Sequence, residues 1–276
     1  MKLGFVKFNP TRNMTILVTD SVPRNRHGEI AAKLMDYGSV GAEQVGYLEA
    51  PADPQCRIRL QMMGGEFCGN ASMSAGAYLA MRDNLADGAE AVYPIEVSGA
   101  DKIIECRIAR RGNAYIGTVD MPLPESIEDI DLDGIRAHIV RFSGIAHAIV
   151  PADRISREEA EARIRAWRAA IGADALGILR AMENDARIEP LVYVQSTDSA
   201  VWEQGCGSGS AAMGAYIAFA RRSDADICID QPGGRIRVQA EYARGAVQRI
   251  RITGTVKIAA EGCAYIDSIK FKSCEP

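Results

Sequence analysis

The sequence predicts an α+β protein of two pseudo-symmetric domains, each a mixed β-sheet wrapped around a buried central helix. Two observations lead to this prediction. The chain repeats itself at half its length, and each copy combines short apolar strand patterns with one helix made mostly of small residues. At 276 residues, with 47% hydrophobic and 25% charged residues, the chain has the composition of a globular protein of one or two domains.

The repeat is clearest around two cysteines. The segment CGNASMSAGAYLA at 68–80 and the segment CGSGSAAMGAYIA at 206–218 are identical at seven of thirteen positions. Flanking blocks follow in the same order, because Val-Lys-Phe at 6–8 resembles Val-Arg-Phe at 140–142. We therefore predict one repeat domain at 1–132 and a second at 133–264, with a last strand at 265–276 that returns to complete the first domain.

In the first copy, alternating or apolar runs predict strands and a spacing of three to four residues predicts helices. The predicted strands are at 2–8, 14–19, 44–48, 56–62, around 95, 103–109 and 115–120. A first helix is expected over 29–37. A second, buried helix is expected over 70–81, directly after a glycine-rich turn.

The second copy repeats this plan. Its predicted strands are at 137–141, 146–150, 191–195, around 227, 236–240 and 250–252. Ser156 is expected to cap an Arg/Glu-rich helix that ends at Ile171, and a second buried helix is expected over 208–220. The acidic, proline-bearing stretch at 122–133 between the copies is predicted to be a linker.

Composition excludes several classes of protein. A net charge of −4 does not indicate a nucleic-acid partner, and no apolar run is long enough to span a membrane. The N-terminus lacks the apolar core of a signal peptide, so we expect a cytoplasmic protein. With seven cysteines, no C-x-x-C motif and three histidines, the sequence predicts no metal site.

Each repeat places a cysteine just before a turn that opens a buried helix. The first backbone N–H groups of a helix lack intrahelical partners and attract anions, and a thiol at this position is expected to have a lowered pKa. Gly69 and Gly207 let the backbone approach a ligand closely. Each loop therefore offers a reactive sulfur from Cys68 or Cys206 beside a pocket of carboxylate size.

Two thiols on either side of one bound carboxylate suggest a reaction. One thiolate removes the α-proton of an amino acid on one face, and the other thiol returns a proton on the opposite face, which inverts the centre. The two helix N-termini would stabilise the negative charge that develops on the carboxylate. The sequence thus predicts an amino-acid racemase with a small-molecule substrate and no cofactor.

At these residues the sequence resembles the diaminopimelate epimerase family of cofactor-independent, two-cysteine amino-acid racemases. The resemblance implies that Cys68 and Cys206 are the acid/base pair. It also implies that the α-carboxylate is held by four backbone amides, those of Gly69, Asn70, Gly207 and Ser208. Two further residues resemble substrate-site residues of the family: Asn13 in the N-terminal loop and His147 near the second strand of the second repeat.

Departures from the family pattern concern the substrate. Ile145 stands where a diaminopimelate epimerase has an Asn, and the stretch upstream of Cys206 lacks the Arg that would clamp a distal carboxylate. These segments look closer to the histidine racemase branch, which feeds opine metallophore synthesis. We expect Asp198 to repel a second carboxylate and attract an imidazole, and Glu66 or Glu203 to bind the ammonium or tune a thiol.

Two alternatives remain open on the sequence. One is diaminopimelate epimerase itself, which the missing Arg disfavours. The other is a non-catalytic, two-lobed amino-acid binding protein, which would have no need of two thiols. A homodimer is compatible with the sequence, which does not determine the oligomeric state.

Overall fold

Sixteen strands and four helices build the protein in a computed structural model that describes residues 1–182, 186–195 and 198–266. The strands of the first half are β1 (Lys2–Pro10), β2 (Thr15–Val18), β3 (Gln44–Glu49), β4 (Arg59–Met62), β5 (Glu90–Val97), β6 (Ile104–Arg111) and β7 (Ala114–Met121). The strands of the second half are β8 (Ser126–Leu132), β9 (Ile135–Phe142), β10 (Ile145–Pro151), β11 (Ala175–Met182), β12 (Arg187–Val194), β13 (Ser199–Trp202), β14 (Ala225–Gln231), β15 (Gly234–Ala243) and β16 (Ala246–Tyr265). The helices are α1 (His27–Met35), α2 (Gly69–Arg82), α3 (Arg157–Ile171) and α4 (Gly207–Arg221).

Strands of the first half pair in a closed ring. Neighbours from β1 to β7 pair in order, β7 pairs with β16, and β16 pairs back to β1. Helix α2 contacts β1, β2, β5, β6, β7 and β16, so it lies inside this ring. All but three residues of α2 are buried, because Ala, Gly and Ser leave room for the strands to close around it. The prediction of a buried helix over 70–81 is confirmed.

The second half continues the same sheet in the order β16, β15, β14, β12, β11, β10, β9 and β8. Helix α4 packs against β9, β10, β14, β15 and β16, while α3 packs against β11 and β12. The sequence predicted both helices. Ser156 caps α3 in a reciprocal capping box with Glu159, and α3 ends at Gly172, which has a positive φ. The α+β class is thus confirmed.

The long strand β16 belongs to both halves of the sheet. Its first part pairs with β15 and β7, and its last part, from Val256 to Tyr265, pairs with β1. The sequence predicted only a short strand at 250–252 and a returning strand at 265–276. Apart from Tyr265 and Ile266, the predicted returning strand lies outside the described residues.

The prediction of a linker over 122–133 is wrong for most of that stretch. Residues Ser126–Leu132 form β8, which pairs along its whole length with β9. A two-residue turn joins them, and Asp133 and Gly134 both have positive φ values, as a type I′ hairpin turn requires. The predicted domain boundary at 132/133 therefore falls within a hairpin.

None of the helices within the described ranges is long and apolar enough to cross a lipid bilayer.

Strands β11 and β13 were not anticipated from the sequence. Both pair with β12, and β11 also pairs in parallel with β10. These pairings bring the chain to the segment that precedes the second cysteine.

Candidate active site

Both cysteines occupy the N-cap position of a buried helix. Cys68 precedes α2 and its Sγ accepts the Ala71 N–H at 3.4 Å. Cys206 precedes α4 and its Sγ accepts the Gly209 N–H at 3.3 Å. The sulfur therefore takes the capping role that a Ser or Asp oxygen usually has, and the first two helical N–H groups stay without an intrahelical acceptor.

The two helix starts lie against each other. Asn70 donates from Nδ2 to the carbonyl oxygen of Gly205 at 2.9 Å, which connects the first turn of α2 to the residue before Cys206. A Cβ added to Gly69 would lie 2.7 Å from Cδ1 of Ile252, and one added to Gly207 would lie 3.2 Å from the same atom. Because both glycines face Ile252, their lack of a side chain allows the two helix N-termini to approach.

The N-terminal loop also reaches this junction. A Cβ on Gly205 would lie only 2.3 Å from the carbonyl oxygen of Thr11, so the loop after β1 packs tightly against the segment before Cys206. Thr11 and Arg12 both have positive φ values, which turn the chain sharply and leave Asn13 almost completely buried. Asn13, which the sequence predicts to contact substrate, follows directly on this loop.

Several buried polar atoms at the predicted site lack a protein partner among the described residues. They are Oδ1 of Asn13, Oδ1 of Asn70, Oγ1 of Thr11 and both ring nitrogens of His147. Buried polar atoms in folded proteins are almost always hydrogen-bonded, so these atoms are free to bond to a polar ligand or to water. Thr11 was not anticipated, because a threonine in a loop carries no signal of its own.

His147 lies on β10, on the inner side of the sheet that faces α4. Its ring rests over Gly177 of β11, where a Cβ would lie 2.2 Å from Nδ1, and it meets Phe142 edge to face. Complete burial lowers the pKa of His147 to about 3. The ring is therefore neutral at physiological pH.

A carboxylate connects the two thiols electrostatically. Burial raises the pKa of Glu203 to about 7, while a hydrogen bond with Cys206 lowers it and the Glu43 charge raises it further. The Glu203 charge in turn raises the pKa of Cys206 and of Cys68. Glu203 from the second half is therefore close enough to affect the charge of both cysteines. The sequence predicted only that Glu203 would bind the ammonium or tune a thiol.

The expectation of lowered thiol pKa values is wrong. Burial raises the pKa of Cys68 to about 12, against a smaller lowering by the Ala71 amide. Burial also raises the pKa of Cys206 well above its ordinary value, and Glu203 adds to this effect. Desolvation and nearby carboxylates outweigh the helix N-terminus, so both sulfurs rest as thiols. The Cys68 thiol donates to Oε1 of Gln44 at 2.7 Å.

Asp198 does not take part in this arrangement. Its side chain is 72% exposed and is held by Arg165 at 3.0 Å and by the Tyr193 hydroxyl at 3.0 Å. These contacts hold the pKa of Asp198 below its usual value. The structure therefore gives no support to the prediction that Asp198 binds substrate, because its charge is already paired with Arg165 at the surface.

Glu66 lies beside the first cysteine. The negative charge of Glu66 raises the pKa of the Cys68 thiol. Partial removal of the Glu66 carboxyl from water raises its own pKa as well. The Ser98 hydroxyl donates to the Glu66 carbonyl at 2.8 Å and fixes the backbone at this point.

Within the described part of the chain, no group of His, Cys, Asp and Glu side chains could hold a metal ion.

Two solved structures share this architecture over nearly the whole chain. A hydroxyproline epimerase from Agrobacterium vitis gives a TM-score of 0.69 at 12% identity, covering 97% of this chain and 94% of that chain. A probable proline racemase from Agrobacterium radiobacter gives a TM-score of 0.68 at 13% identity, covering 98% and 94%. At such low identity the likeness is one of fold, and the fold is that of proline racemase-like isomerases.

Sequence comparison narrows this class. The family model for the histidine racemase CntK N-terminal domain matches residues 2–265. A histidine racemase of Fusobacterium nucleatum subsp. nucleatum is 32% identical over 271 residues, covering 96% of this chain and 97% of its own. One of Staphylococcus aureus is 30% identical over 275 residues, covering 96% and 98%. The chain belongs to the histidine racemase family, and it is an isomerase, an amino-acid racemase.

Proposed function

We propose that the protein racemises histidine without a cofactor, with Cys68 and Cys206 as acid and base on opposite faces of the α-carbon. One observation above all supports this proposal. Two N-capping cysteines, one from each half of the chain, are brought together through the Asn70–Gly205 contact, with the Glu203 carboxylate near both. The repeated loops also support two pseudo-symmetric domains that meet at the site.

The α-carboxylate of the substrate binds between the two helix starts. The amides of Gly69, Asn70, Gly207 and Ser208 lie at the first two positions of the helices, where N–H groups have no intrahelical acceptor. Oδ1 of Asn13, which is buried and has no hydrogen-bond partner among the described residues, accepts from the substrate ammonium. Charge that builds on the carboxylate during proton removal is then stabilised by fixed dipoles.

Proton transfer starts from two thiols. Glu203, with a pKa of about 7, takes the proton of Cys206 and leaves a thiolate there. This thiolate removes the α-proton from one enantiomer, and the Cys68 thiol donates its proton to the opposite face of the carbanion. Cys206 ends as a thiol and Cys68 as a thiolate, so protons balance, and the reverse reaction runs from that state.

Carboxylates around the thiols favour a cationic or hydrogen-bond-donating side chain. Glu43, Glu66 and Glu203 all have raised pKa values and act on each other or on the cysteines. A second substrate carboxylate would be repelled there, whereas an imidazole would be attracted. The names of the curated relatives agree with histidine. These three glutamates, rather than Asp198, determine which amino acid is accepted.

A substrate panel in deuterated water tests the proposal. Single amino acids are incubated with the purified protein, and α-deuterium incorporation and enantiomer composition are followed by mass spectrometry and chiral chromatography. Histidine should give the highest kcat/KM, while diaminopimelate, glutamate and aspartate should be poor substrates. A better rate with diaminopimelate would refute the substrate and leave the two-thiol mechanism standing.

Cofactor independence is read in the same preparation. The active protein should show no visible absorbance band, and neither hydroxylamine nor a chelator should lower its rate. Activity that is lost to either reagent would contradict the mechanism proposed here, since neither reagent affects a thiol or a carboxylate.

A further inference from the structure

The two cysteine loops are supported differently by the strand that follows each helix. Strand β5 ends in Ile-Glu-Val-Ser-Gly at 95–99, and β14 ends in Ile-Asp-Gln-Pro-Gly at 229–233, at the same place in the repeat. The last strand residue is Val97 in the first copy and Gln231 in the second, and both are buried. A buried glutamine in place of a valine needs a reason, because its amide must be hydrogen-bonded.

Both the oxygen and the nitrogen of the Gln231 side-chain amide form hydrogen bonds with the Cys206 turn. Its Oε1 accepts the backbone N–H of Cys206 at 2.6 Å. Its Nε2 donates to the Ser210 hydroxyl at 2.7 Å and to the Cys206 carbonyl oxygen at 3.4 Å. The Ser210 hydroxyl itself donates to the same carbonyl at 2.8 Å. The backbone of Cys206 is therefore held at both its N–H and its C=O.

The rest of the turn after β14 supports the same segment. The Gly233 N–H donates to the carbonyl oxygen of Gln204 at 2.6 Å, and a Cβ on Gly233 would lie 2.7 Å from that oxygen. In the first copy, the Ser98 hydroxyl accepts from the Met62 N–H and donates to the Glu66 carbonyl. Support there reaches the chain two residues before the cysteine, whereas Gln231 contacts the cysteine backbone itself.

We infer that Gln231 is a positioning residue for Cys206, fixing the N-cap turn so that Sγ keeps its orientation toward the α-carbon. The inference rests on the function proposed above, in which Cys206 serves one face of the substrate. Gln231 does not touch the substrate, because its donor and acceptor atoms all face the Cys206 turn. Loss of Gln231 should therefore weaken proton transfer at one face and leave transfer by Cys68 intact.

The test uses Gln231→Met, which keeps the side-chain length and removes both hydrogen-bonding groups. Gln239→Met on the adjacent strand β15 is the matched control, because that glutamine donates to Asp226 at the surface, away from the Cys206 turn. Each enantiomer of histidine is followed separately in deuterated water. The measured quantity is the ratio of deuterium exchange into recovered substrate to conversion into the other enantiomer.

With Gln231→Met, the enantiomer that gives its proton to Cys68 should show about a fivefold rise in this ratio, the rate equivalent of one lost hydrogen bond. The ratio should not rise for the other enantiomer or in Gln239→Met. General damage to the fold lowers the amount of active protein and changes neither ratio. An unchanged ratio, or an equal rise for both enantiomers, would overturn the inference.

A second readout needs no turnover. Alkylation of each cysteine by iodoacetamide is followed by peptide mass spectrometry, and Cys206 should react about fivefold faster in Gln231→Met, because the loosened turn exposes a buried thiol. The Cys68 rate should stay unchanged, and equal rates at Cys206 would contradict the positioning role. If the unsubstituted protein exchanges no amino acid, the proposed function fails while this readout still decides the inference.

Should Gln231→Met fail to fold, Ser210→Ala removes the hydroxyl that accepts from Gln231 and donates to the Cys206 carbonyl oxygen. This variant keeps the bond between Gln231 and the Cys206 N–H, so it should raise both the ratio and the alkylation rate in the same direction by a smaller factor. No change in either measurement would also overturn the inference.

Discussion

The Cys68 and Cys206 turns share a backbone and differ in the side chains that contact each sulfur. In each, the cysteine Sγ caps its helix and a serine four residues on donates to the cysteine carbonyl, at 2.8 Å in both. Yet the Cys68 thiol donates to Gln44. Cys206 instead shares a hydrogen bond with the Glu203 side chain and is only 3% exposed. The repeat preserves the N-terminal amides and varies what surrounds the sulfur.

This difference follows from the shape of the proposed substrate. A carboxylate is symmetric and is served equally by two copies of one amide pocket. The ammonium and the side chain are on different sides of the α-carbon, so one half must bind each of them. In the repeat, Asn13 of the first half corresponds to Ile145, and His147 of the second half corresponds to Thr15, so these two proposed binding residues have no copy in the other half. Symmetry is kept where the substrate has it and is lost elsewhere.

The largest expected effect tests the part that the two halves share. Replacing Cys68 or Cys206 with Ala should each lower racemisation by about 10³-fold or more, because inversion needs a proton donor or acceptor on both faces. In deuterated water each variant should retain exchange for one enantiomer, and the two variants should retain opposite ones. Chiral chromatography with mass spectrometry measures both quantities.

Cys228→Ala is the control for these variants, since Cys228 is exposed on β14 and lies outside the proposed site. It should keep the full rate. Normal racemisation in either site variant, or retained exchange of the same enantiomer in both, would refute the assignment of one thiol to each face.

Glu203→Gln tests the part in which the halves differ. Glu203 has a pKa of about 7, so its carboxylate is protonated below that pH and can accept the Cys206 proton above it. Activity of the unsubstituted protein should therefore rise as the pH passes through about 7. The amide cannot accept this proton, so kcat should fall by about 10²-fold and the limb near pH 7 should disappear.

Glu66→Gln is the matched substitution beside the first cysteine. It removes a charge near Cys68 and leaves the bond between Glu203 and Cys206, so the limb near pH 7 should persist. If the limb persists in Glu203→Gln as well, another group controls ionisation of Cys206.

The sequence predicted those parts of the site that depend on local pattern. The two buried helices, and the place of Cys68 and Cys206 directly before them, follow from two short segments. Strands β8, β11 and β13 were missed because their pairing partners, rather than their own composition, stabilise them. For β8 a usable signal existed: Asp133-Gly134 between apolar residues is a strong hairpin pattern.

The electrostatics of the site could not be predicted in this way. A helix N-terminus lowers a thiol pKa, but burial and carboxylates from distant segments raise it, and only the fold shows that Glu203 lies near Cys68. Asp198 shows the opposite error. It is close to Cys206 in sequence, yet the β12–β13 hairpin places it at the surface beside Arg165. Gln231 gave no signal because its role depends on packing between β14 and α4.

His147 should make the free energy of unfolding depend on pH. The ordinary pKa of 6.5 in the unfolded chain falls to about 3 on folding. The unfolded chain therefore takes up a proton below 6.5 that the folded protein cannot, so stability is full above 6.5 and is lost as the pH falls. At about pH 5 this amounts to about 2 kcal/mol of unfolding free energy.

Urea unfolding at about pH 8 and about pH 5 measures this loss. His147→Gln should reduce the difference in unfolding free energy between the two conditions, whatever its effect at the higher pH. His138→Gln, at a histidine bonded to Asp129 and Tyr216 near the surface, should retain it. An equal drop in the unsubstituted protein and in His147→Gln would show that other groups cause it.

The smallest expected effect concerns Asp198. Its substitution shows whether this surface charge affects the active site. Asp198→Ala removes an exposed ion pair with Arg165, and such pairs contribute about 0–1 kcal/mol. Racemisation of histidine should keep its kcat and KM, and thermal unfolding should shift only slightly. Glu203→Gln, by contrast, acts on a carboxylate a few residues along the same chain segment. If Asp198→Ala raises KM for histidine without unfolding the hairpin, then the β12–β13 turn reaches the substrate, and the second half binds the imidazole through it rather than through the glutamates at the thiols.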